Sequence, residues 1–384
     1  MNIPGRTGLL TDDIPAVASD SAFQTLNIPD PDNVQCDGSL AQSDLVDTLT
    51  LAQGCYRVAE NLQVPPFTRL TLDAGVMLKF AAGVRLEVLS DAALVANGTV
   101  NAPVVFTGES SVRGFWDGIE FSFSDSPVNL LRNTVVQYTG GGQLSAAVVV
   151  NSTTARRARI RMENSLVRRS STSGLAFVGG NTVIESFFGN RVTENLRAGA
   201  FTANLLEATA GSTDYTGNDF DTISIPRNTF TRNLILPDPG IPVRSNGLTV
   251  TNASLTLGAG IEMLMDANSQ FIVEGAFMAV GTADNPIILS ARTGPNGIWN
   301  GLQLSGRGEK VIDHLVITDA GAAGEGNGAI ELSCSDVAPA SLSIQNTDIS
   351  GSLSYGIALS PNGCTLEVGP NVNFFNNLLG DINR

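Results

Sequence analysis

The sequence predicts an all-β fold, a single-stranded right-handed parallel β-helix (a solenoid) with an internal duplication. Three observations predict it. The 384 residues include 40 glycines, with 42% hydrophobic and only 15% charged residues, which disfavours a disordered chain or a charged helical bundle. Short Val, Ile, Leu and Phe strands bounded by Gly, Asn and Asp recur at steps of about 16 to 30 residues. Finally, a long segment of the chain is repeated about 183 residues later.

Alternation within the strands indicates one buried face. In residues 76–80, Val76, Leu78 and Phe80 point to one side of the strand, while Met77 and Lys79 point to the other. We find no long run of strong helix formers at the 3.6-residue spacing of an amphipathic helix. Each strand is therefore expected to contribute one row of side chains to a shared core.

The repeated motif is a proline-opened strand followed by a tryptophan turn. In the first copy, Pro103 opens an apolar strand and Trp116-Asp117-Gly118 precedes an alternating one; in the second, the turn is Trp299-Asn300-Gly301. Asp-Gly and Asn-Gly suit corners whose backbone needs a positive φ. We therefore interpret Trp116, Gly118, Trp299 and Gly301 as structural coil corners, with each indole packed against its corner.

The duplication divides the chain. The predicted parts are an N-terminal linker or stalk over residues 1–36, an N-terminal cap over 37–62, a first β-helix copy over 63–198, connecting coils that continue the stack over 199–247, and a second copy over 248–384. Asparagines recur near the coil corners, as at Asn190 and Asn195. Asparagine tolerates left-handed turns and bonds to neighbouring backbone, so an internal asparagine ladder is expected.

These motifs resemble those of a known group of proteins. The run from the Leu-Thr-Leu strand at 70–72, through the tryptophan turn, to residues 135–141 resembles the right-handed parallel β-helix proteins of bacterial cell surfaces, of the pectate-lyase-like superfamily. The segment 215–219 (YTGND) resembles a segment found in that group. The resemblance covers nearly everything after about residue 60 and implies the fold. It implies no single activity, because the superfamily includes lyases, hydrolases, adhesins and proteins without known activity.

The spacing of the four cysteines indicates in which cellular compartment the protein is found. Cys36 and Cys55 flank one N-terminal segment, Cys334 and Cys364 flank one C-terminal loop, and neither pair has the spacing of zinc or redox sites. We predict two local disulfides in an oxidising compartment; four buried free thiols are the alternative. The first residues do not form a signal peptide, so the chain is either cytosolic or numbered after a removed export signal. The cysteines favour the second option, a secreted or cell-surface protein.

Charge limits the partners. The formal net charge is -15, which argues against non-specific binding to nucleic acid or anionic membranes. No apolar run is long enough to span a bilayer, so direct membrane insertion is not expected. A polysaccharide or another surface protein is the expected partner, and self-association through exposed end strands is an alternative.

No catalytic or metal-binding set is recognisable. The one histidine is His314, no Gly-His-Gly segment exists, and a histidine metal site is excluded. We predict no catalytic residue, no metal site and no cofactor. Residues 215–221 offer oxygen ligands to Ca²⁺, although no specific calcium motif is present and an exposed turn is the preferred interpretation.

Arginines mark the candidate binding site. With Ala158, Ile160 and Met162 facing inward, the residues between them form an outward row, the arginine row, and two more arginines follow; together they are Arg157, Arg159, Arg161, Arg168 and Arg169. Like charges on one strand are unfavourable unless countered, and an anionic glycan would counter them. The alternative is an internal salt-bridge ladder with carboxylates from neighbouring coils. The positions equivalent to the row in the second copy are Pro339, Ser341 and Ser343, so the fold does not need it.

Together these observations predict a non-catalytic, secreted or cell-surface scaffold for adhesion or carbohydrate binding. Two alternatives stay open: a polysaccharide lyase that acts on an anionic glycan through the arginine row, and a self-assembling filament or surface-layer subunit.

Overall fold

The computed structural model describes residues 23–292, 298–324, 326–335 and 337–383. The predicted linker falls in part on residues 1–22, which lie outside the described residues. Within the described chain, strands β1 to β40 pair in parallel to form five sheets. Short helical segments are the 3₁₀ turns Pro31–Asn33, Gln42–Asp44 and Ala203–Leu205, and the helix α1 (Leu206–Thr209).

Sheet 1 runs through both halves of the chain. Its strands are β4 (Leu62–Val64), β7 (Arg85–Val88), β10 (Gly118–Ser122), β13 (Ala146–Asn151), β16 (Ser173–Val178), β19 (Arg197–Phe201), β21 (Phe220–Ile225), β24 (Val243–Ser245), β27 (Glu262–Met265), β30 (Ile287–Ala291), β33 (Leu315–Thr318), β36 (Thr347–Ser350) and β39 (Val372–Phe375).

Two further sheets belong to the first half. Sheet 2 comprises β1 (Gly38–Ser39), β3 (Gly54–Val58), β6 (Val76–Phe80), β9 (Val104–Gly108), β12 (Thr134–Gln137), β15 (Leu166–Arg168), β18 (Asn190–Thr193) and β20 (Thr213–Asp214). Sheet 3 comprises β2 (Leu49–Leu51), β5 (Arg69–Leu72), β8 (Ala93–Asn97), β11 (Leu130–Arg132), β14 (Ala158–Glu163) and β17 (Thr182–Phe188).

The second half has its own two sheets. Sheet 4 comprises β22 (Asn228–Phe230), β25 (Leu248–Thr251), β28 (Phe271–Glu274), β31 (Leu302–Ser305), β34 (Gly328–Ser333), β37 (Tyr355–Leu359) and β40 (Gly380–Asn383). Sheet 5 comprises β23 (Leu234–Leu236), β26 (Leu255–Leu257), β29 (Phe277–Val280), β32 (Glu309–Asp313), β35 (Ala340–Gln345) and β38 (Cys364–Val368).

The order in which the chain visits the sheets defines the fold. Successive strands pass from sheet 3 to sheet 2 to sheet 1 in the first half, and from sheet 4 to sheet 5 to sheet 1 in the second. Each strand pairs with the strand of the same sheet one coil away, as β9 does with β6 and β12. The prediction of an all-β parallel solenoid is confirmed. Its right-handed sense follows the general rule for parallel crossovers and stays a prediction.

The core is a continuous column of apolar side chains inside the coils. In sheet 2 the inward row includes Leu78, Phe106 and Val136, each buried and in register with the next. The inward and outward directions predicted for the side chains of residues 76–80 are confirmed, although one outward side chain is not exposed to solvent. Met77 points outward but is covered by the N-terminal segment.

That N-terminal segment, residues 23–36, lies across the outer face of sheet 2. Its apolar side chains pack on an outward row of the sheet; the residues involved are Leu26, Ile28 and Val34 on the segment and Met77, Val105, Val135 and Leu166 beneath it. Lys79 Nζ donates to the Val34 carbonyl at 2.6 Å, and the Asn27 amide donates to the Val100 carbonyl at 3.0 Å. Residues 23–36 are therefore packed against the body of the solenoid.

Both predicted disulfides are present, Cys36–Cys55 and Cys334–Cys364, and the described residues contain no free cysteine. In the chain-entropy model, closing loops of this size contributes about 3 kcal/mol each to the free energy of unfolding. Among the described residues, no helix has the length and apolar character needed to cross a membrane.

The two copies share their corner contacts. Trp116 and Trp299 are fully buried; their indole Nε1 atoms donate to the carbonyls of Gln137 at 2.7 Å and of Thr318 at 3.1 Å. Gly118 has a φ of 139°, and a Cβ there would lie 2.8 Å from the Ala147 carbonyl oxygen. Gly301 has a φ of 88° and faces the same restriction. Each tryptophan is thus held at a corner that requires glycine two residues later.

The asparagine ladder is also duplicated. Asn195 Oδ1 accepts from the Ser170 amide at 3.0 Å, and its Nδ2 donates to the Val167 carbonyl at 3.1 Å. In the second copy, Asn377 accepts from the Ser352 amide at 3.1 Å. These amides bond to backbone one coil away, which is the role predicted for them.

Equivalent strands of the two copies nevertheless belong to different sheets. β9 lies in sheet 2, whereas its equivalent β30 lies in sheet 1. The helical segment 203–209 accounts for this change of sheet. It lies between β19 and β20, where a strand of sheet 3 would otherwise follow, so it occupies one strand position of the coil and displaces the later strands by one position.

Candidate functional site

The arginine row lies on the outer face of sheet 3, as alternation predicts. Arg159 Nε lies 3.0 Å from Asp125 Oδ1, and its Nη1 pairs with Glu185. The side chain of Arg157 reaches the same Asp125 at 3.8 Å. The buried Nε of Arg161 has no hydrogen-bond partner among the described residues.

These contacts favour the salt-bridge alternative for the row. Asp125 and Glu185 come from the neighbouring coils, so two of the three guanidinium groups are countered by carboxylates of the protein itself. An anionic glycan would have to displace those carboxylates. The charge repulsion that motivated a glycan ligand is therefore already relieved within the fold.

The other two predicted arginines lie elsewhere, on sheet 2. Arg168 ends β15, points outward, and donates from Nε to Gln137 Oε1 at 3.0 Å. Burial lowers the pKa of Arg168, and the neighbouring charge of Arg169 lowers it further. Arg169 follows at the corner between sheets 2 and 1. The five arginines are thus divided between two faces and do not form one site.

A groove of about 430 Å³ opens at that corner, and we call it the corner groove. Its lining side chains and backbone come from five successive coils: Ser111, Arg113, Tyr138, Arg169, Glu194, Gly217 and Asp219. Of these residues, the sequence predicted only Arg169 as a site residue.

One ion pair forms the centre of the corner groove. Arg169 Nε lies 2.6 Å from Glu194 Oε2, and Arg169 Nη1 donates to the Tyr138 hydroxyl at 2.6 Å. The guanidinium carbon lies 5.5 Å from the centroid of the Tyr138 ring. Hydrogen bonding to Glu194 raises the pKa of Arg169, so the group stays charged. The three side chains therefore hold one another in place.

A second ion pair borders the groove. Arg113 Nη2 lies 3.0 Å from Asp219 Oδ2 and donates to the Ser170 carbonyl at 2.8 Å. Arg113 comes from the loop between β9 and β10, and Asp219 precedes β21. The loop that carries Arg113 and the arginine side chain together thus extend along the corner past the coils between them.

The backbone at the centre of the groove is unusual. Tyr138, Arg169 and Glu194 have φ values of 66°, 58° and 58°, which place all three in the left-handed (αL) region. They follow β12, β15 and β18, so they occupy the same corner on three successive coils. Strand spacing puts neighbouring corners about 5 Å apart along the solenoid.

The second copy fills the equivalent αL corners differently. The counterparts of Tyr138, Arg169 and Glu194, also at positive φ, are Asp319, Gly351 and Asn376. Glycine, asparagine and aspartate are the residues that adopt this conformation most readily. The corner itself therefore does not require a tyrosine, an arginine or a glutamate.

The same contrast recurs at two corners outside the groove. Phe67 and Phe123 have φ values of 66° and 59°, and their counterparts are Asn252 and Gly306. Phe67 is 89% exposed. In the described residues, phenylalanine, tyrosine, arginine and glutamate at αL corners thus belong to the first copy, and His314 is the one bulky residue at such a corner in the second.

His314 occupies a structural corner. Its φ of 51° matches the 45° of Asn133, its counterpart in the first copy. Its Nδ1 lies 2.7 Å from Asp313 Oδ1 without the alignment of a hydrogen bond. The histidine therefore takes the place of a corner asparagine.

The acidic turn considered for Ca²⁺ uses its carboxylates internally. Asp221 accepts from the amides of Gly217 at 3.1 Å and Asn218 at 2.7 Å, while Asp214 pairs with Arg191 at 3.2 Å. Over the ranges that the structure describes, no three or more His, Cys, Asp or Glu residues are grouped to hold a metal ion.

Comparison with known proteins adds little. No family model matches the chain. No curated protein matches it. Among solved structures, the chain is similar to the A-module of the Azotobacter vinelandii mannuronan C-5 epimerase AlgE4, with 13% identity, 92% of this chain and 96% of that chain covered, and a TM-score of 0.34. A likeness of this size carries no argument about function, and the fold rests on the strand pairing described above.

Proposed function

We propose that this protein is a non-catalytic β-helical scaffold, secreted or displayed at the cell surface, that binds carbohydrate in the corner groove. One observation carries the proposal. Three successive αL corners bear a tyrosine, an arginine and a glutamate, where the equivalent corners of the second copy bear aspartate, glycine and asparagine. The three side chains at the centre of the groove thus all differ between the copies.

Energetics supports a role beyond folding. A residue other than glycine in the αL region costs roughly 1 to 2 kcal/mol, less for asparagine and aspartate. The Arg169–Glu194 pair is partly exposed and returns only about 0.2 to 1 kcal/mol. Folding alone would thus favour the residues of the second copy, and a contact with a ligand accounts for the ones present.

The chemistry of the groove suits sugar hydroxyls. Guanidinium groups donate, carboxylates accept, and the Tyr138 hydroxyl does both. A lyase needs a cation free to neutralise the substrate carboxylate and a base free to remove a proton. In the corner groove, both arginines and both carboxylates are engaged with each other, which supports binding rather than proton transfer.

Two disulfides support the extracellular setting, since they form and persist in oxidising compartments. A rigid solenoid with a groove along one corner is suited to presenting a binding surface to a polymer.

The test exchanges groove residues for those of the second copy. Arg169→Gly and Glu194→Asn are expected to weaken polysaccharide binding at least about tenfold, equivalent to about 1.4 kcal/mol, in affinity electrophoresis and calorimetry. Their thermal unfolding temperatures should equal or exceed that of the unmodified protein. Phe67→Asn is the matched control, because it makes the same exchange at a corner outside the groove.

Two results would contradict the proposal. If both groove variants bind as the unmodified protein does, the groove is not the site. If incubation with alginate or pectate yields unsaturated products that absorb in the ultraviolet, the protein is a lyase and the non-catalytic assignment fails.

A further inference from the structure

We infer that the ligand of the corner groove is an uncharged, linear polysaccharide whose chain lies along the axis of the β-helix. This inference rests on the proposed function and names the class of carbohydrate. It differs from the anionic glycan that the arginine content of the sequence suggested.

The charges of the groove cancel. Arg169 is paired with Glu194 at 2.6 Å, and Arg113 is paired with Asp219 at 3.0 Å. An anionic chain that approached either arginine would also meet the adjacent carboxylate and the field of a protein with a formal charge of -15. A cationic chain would meet a guanidinium group beside each carboxylate. Electrostatic complementarity therefore favours neither sign.

Hydrogen-bonding capacity points to hydroxyl groups. A guanidinium group has five N–H donors and a carboxylate accepts at about four sites, so each partner of a pair retains capacity after pairing. A ligand hydroxyl can donate to Glu194 or Asp219 and accept from Arg169 or Arg113. A carboxylate or sulfate of a ligand only accepts, so it could use the spare donors of the arginines but not the spare acceptor sites of Glu194 and Asp219. Neutral sugars match both halves.

The direction of the chain follows from the order of the corners. Tyr138, Arg169, Glu194 and Gly217 line the groove from successive coils. Three coil spacings extend over about 14 Å parallel to the axis. A linear chain placed there contacts each corner in turn, whereas a single sugar ring reaches only one or two.

The experiment compares polymers of different charge. Hydroxyethylcellulose, laminarin and galactomannan serve as neutral probes, alginate and pectate as anionic probes, and chitosan as the cationic probe, each at 50 and 500 mM NaCl. We expect binding to at least one neutral probe, an affinity that changes less than about twofold with salt, and a loss of at least about tenfold in Glu194→Asn but not in Phe67→Asn.

The outcomes separate the inference from the proposed function. Binding to alginate, pectate or chitosan that is lost in Glu194→Asn and weakened by salt overturns the uncharged ligand and leaves carbohydrate binding in place. Absence of binding to every probe overturns the proposed function itself. Binding to a neutral probe that Glu194→Asn does not change overturns the assignment of the ligand to the groove.

The length of the chain is tested separately. Oligosaccharides of increasing length from the best-binding neutral polymer should gain affinity until they span the groove, and longer ones should gain no more. A monosaccharide that binds as tightly as the longer chains would overturn the axial arrangement.

Discussion

The aromatic stack at the first tryptophan corner provides a quantitative test of how the coils are held together. The Trp116 and Phe80 rings are both fully buried, with centroids 4.1 Å apart and planes at 6°. In the second copy, Met265 stands at the position equivalent to Phe80, and Trp299 at the position equivalent to Trp116. The duplication therefore supplies its own control for the stacking interaction.

The perturbation is a double-mutant cycle. Trp116→Leu is expected to lower the free energy of unfolding by about 3 to 5 kcal/mol, because it removes buried apolar surface and leaves the Gln137 carbonyl without the indole N–H that donates to it. Combining it with Phe80→Leu isolates the stacking term, since the lost hydrogen bond is common to both tryptophan variants. Stacked aromatic pairs contribute about 0.5 to 1.5 kcal/mol beyond burial, so we expect a coupling energy of about 1 kcal/mol.

The assay is equilibrium urea unfolding followed by far-ultraviolet circular dichroism, with the cycle of Trp299→Leu and Met265→Leu measured in parallel. The coupling energy of the Trp116 and Phe80 cycle should exceed that of the second-copy cycle. Coupling indistinguishable from zero, or equal in the two copies, would refute the claim that the stack stabilises the first copy.

Three further predictions concern stability. Burial lowers the pKa of Lys310, so the free energy of unfolding should rise as the pH approaches the ordinary lysine pKa. Between pH 8 and 10.5, the thermal unfolding temperature should therefore rise less in Lys310→Met than in the unmodified protein. Burial raises the pKa of Asp266, but hydrogen bonds from Arg244 and Arg292 outweigh burial and hold the pKa below its usual value. The stability that these bonds provide is fully present above the usual pKa and is lost as the pH falls through the lowered pKa. Acid titration should therefore show a smaller loss of stability in Arg244→Ala than in the unmodified protein. Gly118→Ala should lower the free energy of unfolding by about 1 to 3 kcal/mol in urea titration, because of the positive φ and the nearby Ala147 carbonyl.

Patterns of short range in sequence were sufficient to predict the fold. Alternation gave the inward row through Leu78 and the outward placement of Arg159, because the direction of a side chain in a strand depends only on its position. The cysteine spacing gave both disulfides. The duplication was visible because both copies need glycine after the tryptophan turn.

The candidate groove and the ion pairs of the arginines depend on contacts between coils, which the sequence does not display. The partner of Arg159 is Asp125, 34 residues away, and the coil length that brings them together varies along the chain. Nothing local marks Tyr138 or Glu194 as αL residues, since neither type favours that conformation. The signal that was available is the alignment of the copies, in which Glu194 stands opposite Asn376 at a corner.

A crystal structure of the protein with a neutral oligosaccharide long enough to span the corner groove would test the proposed ligand and its site most directly. We expect electron density for a chain that passes Tyr138, Arg169 and Glu194 in order, with both ion pairs intact. Density on the outer face of sheet 3 beside Arg157 and Arg159, with the corner groove empty, would contradict it.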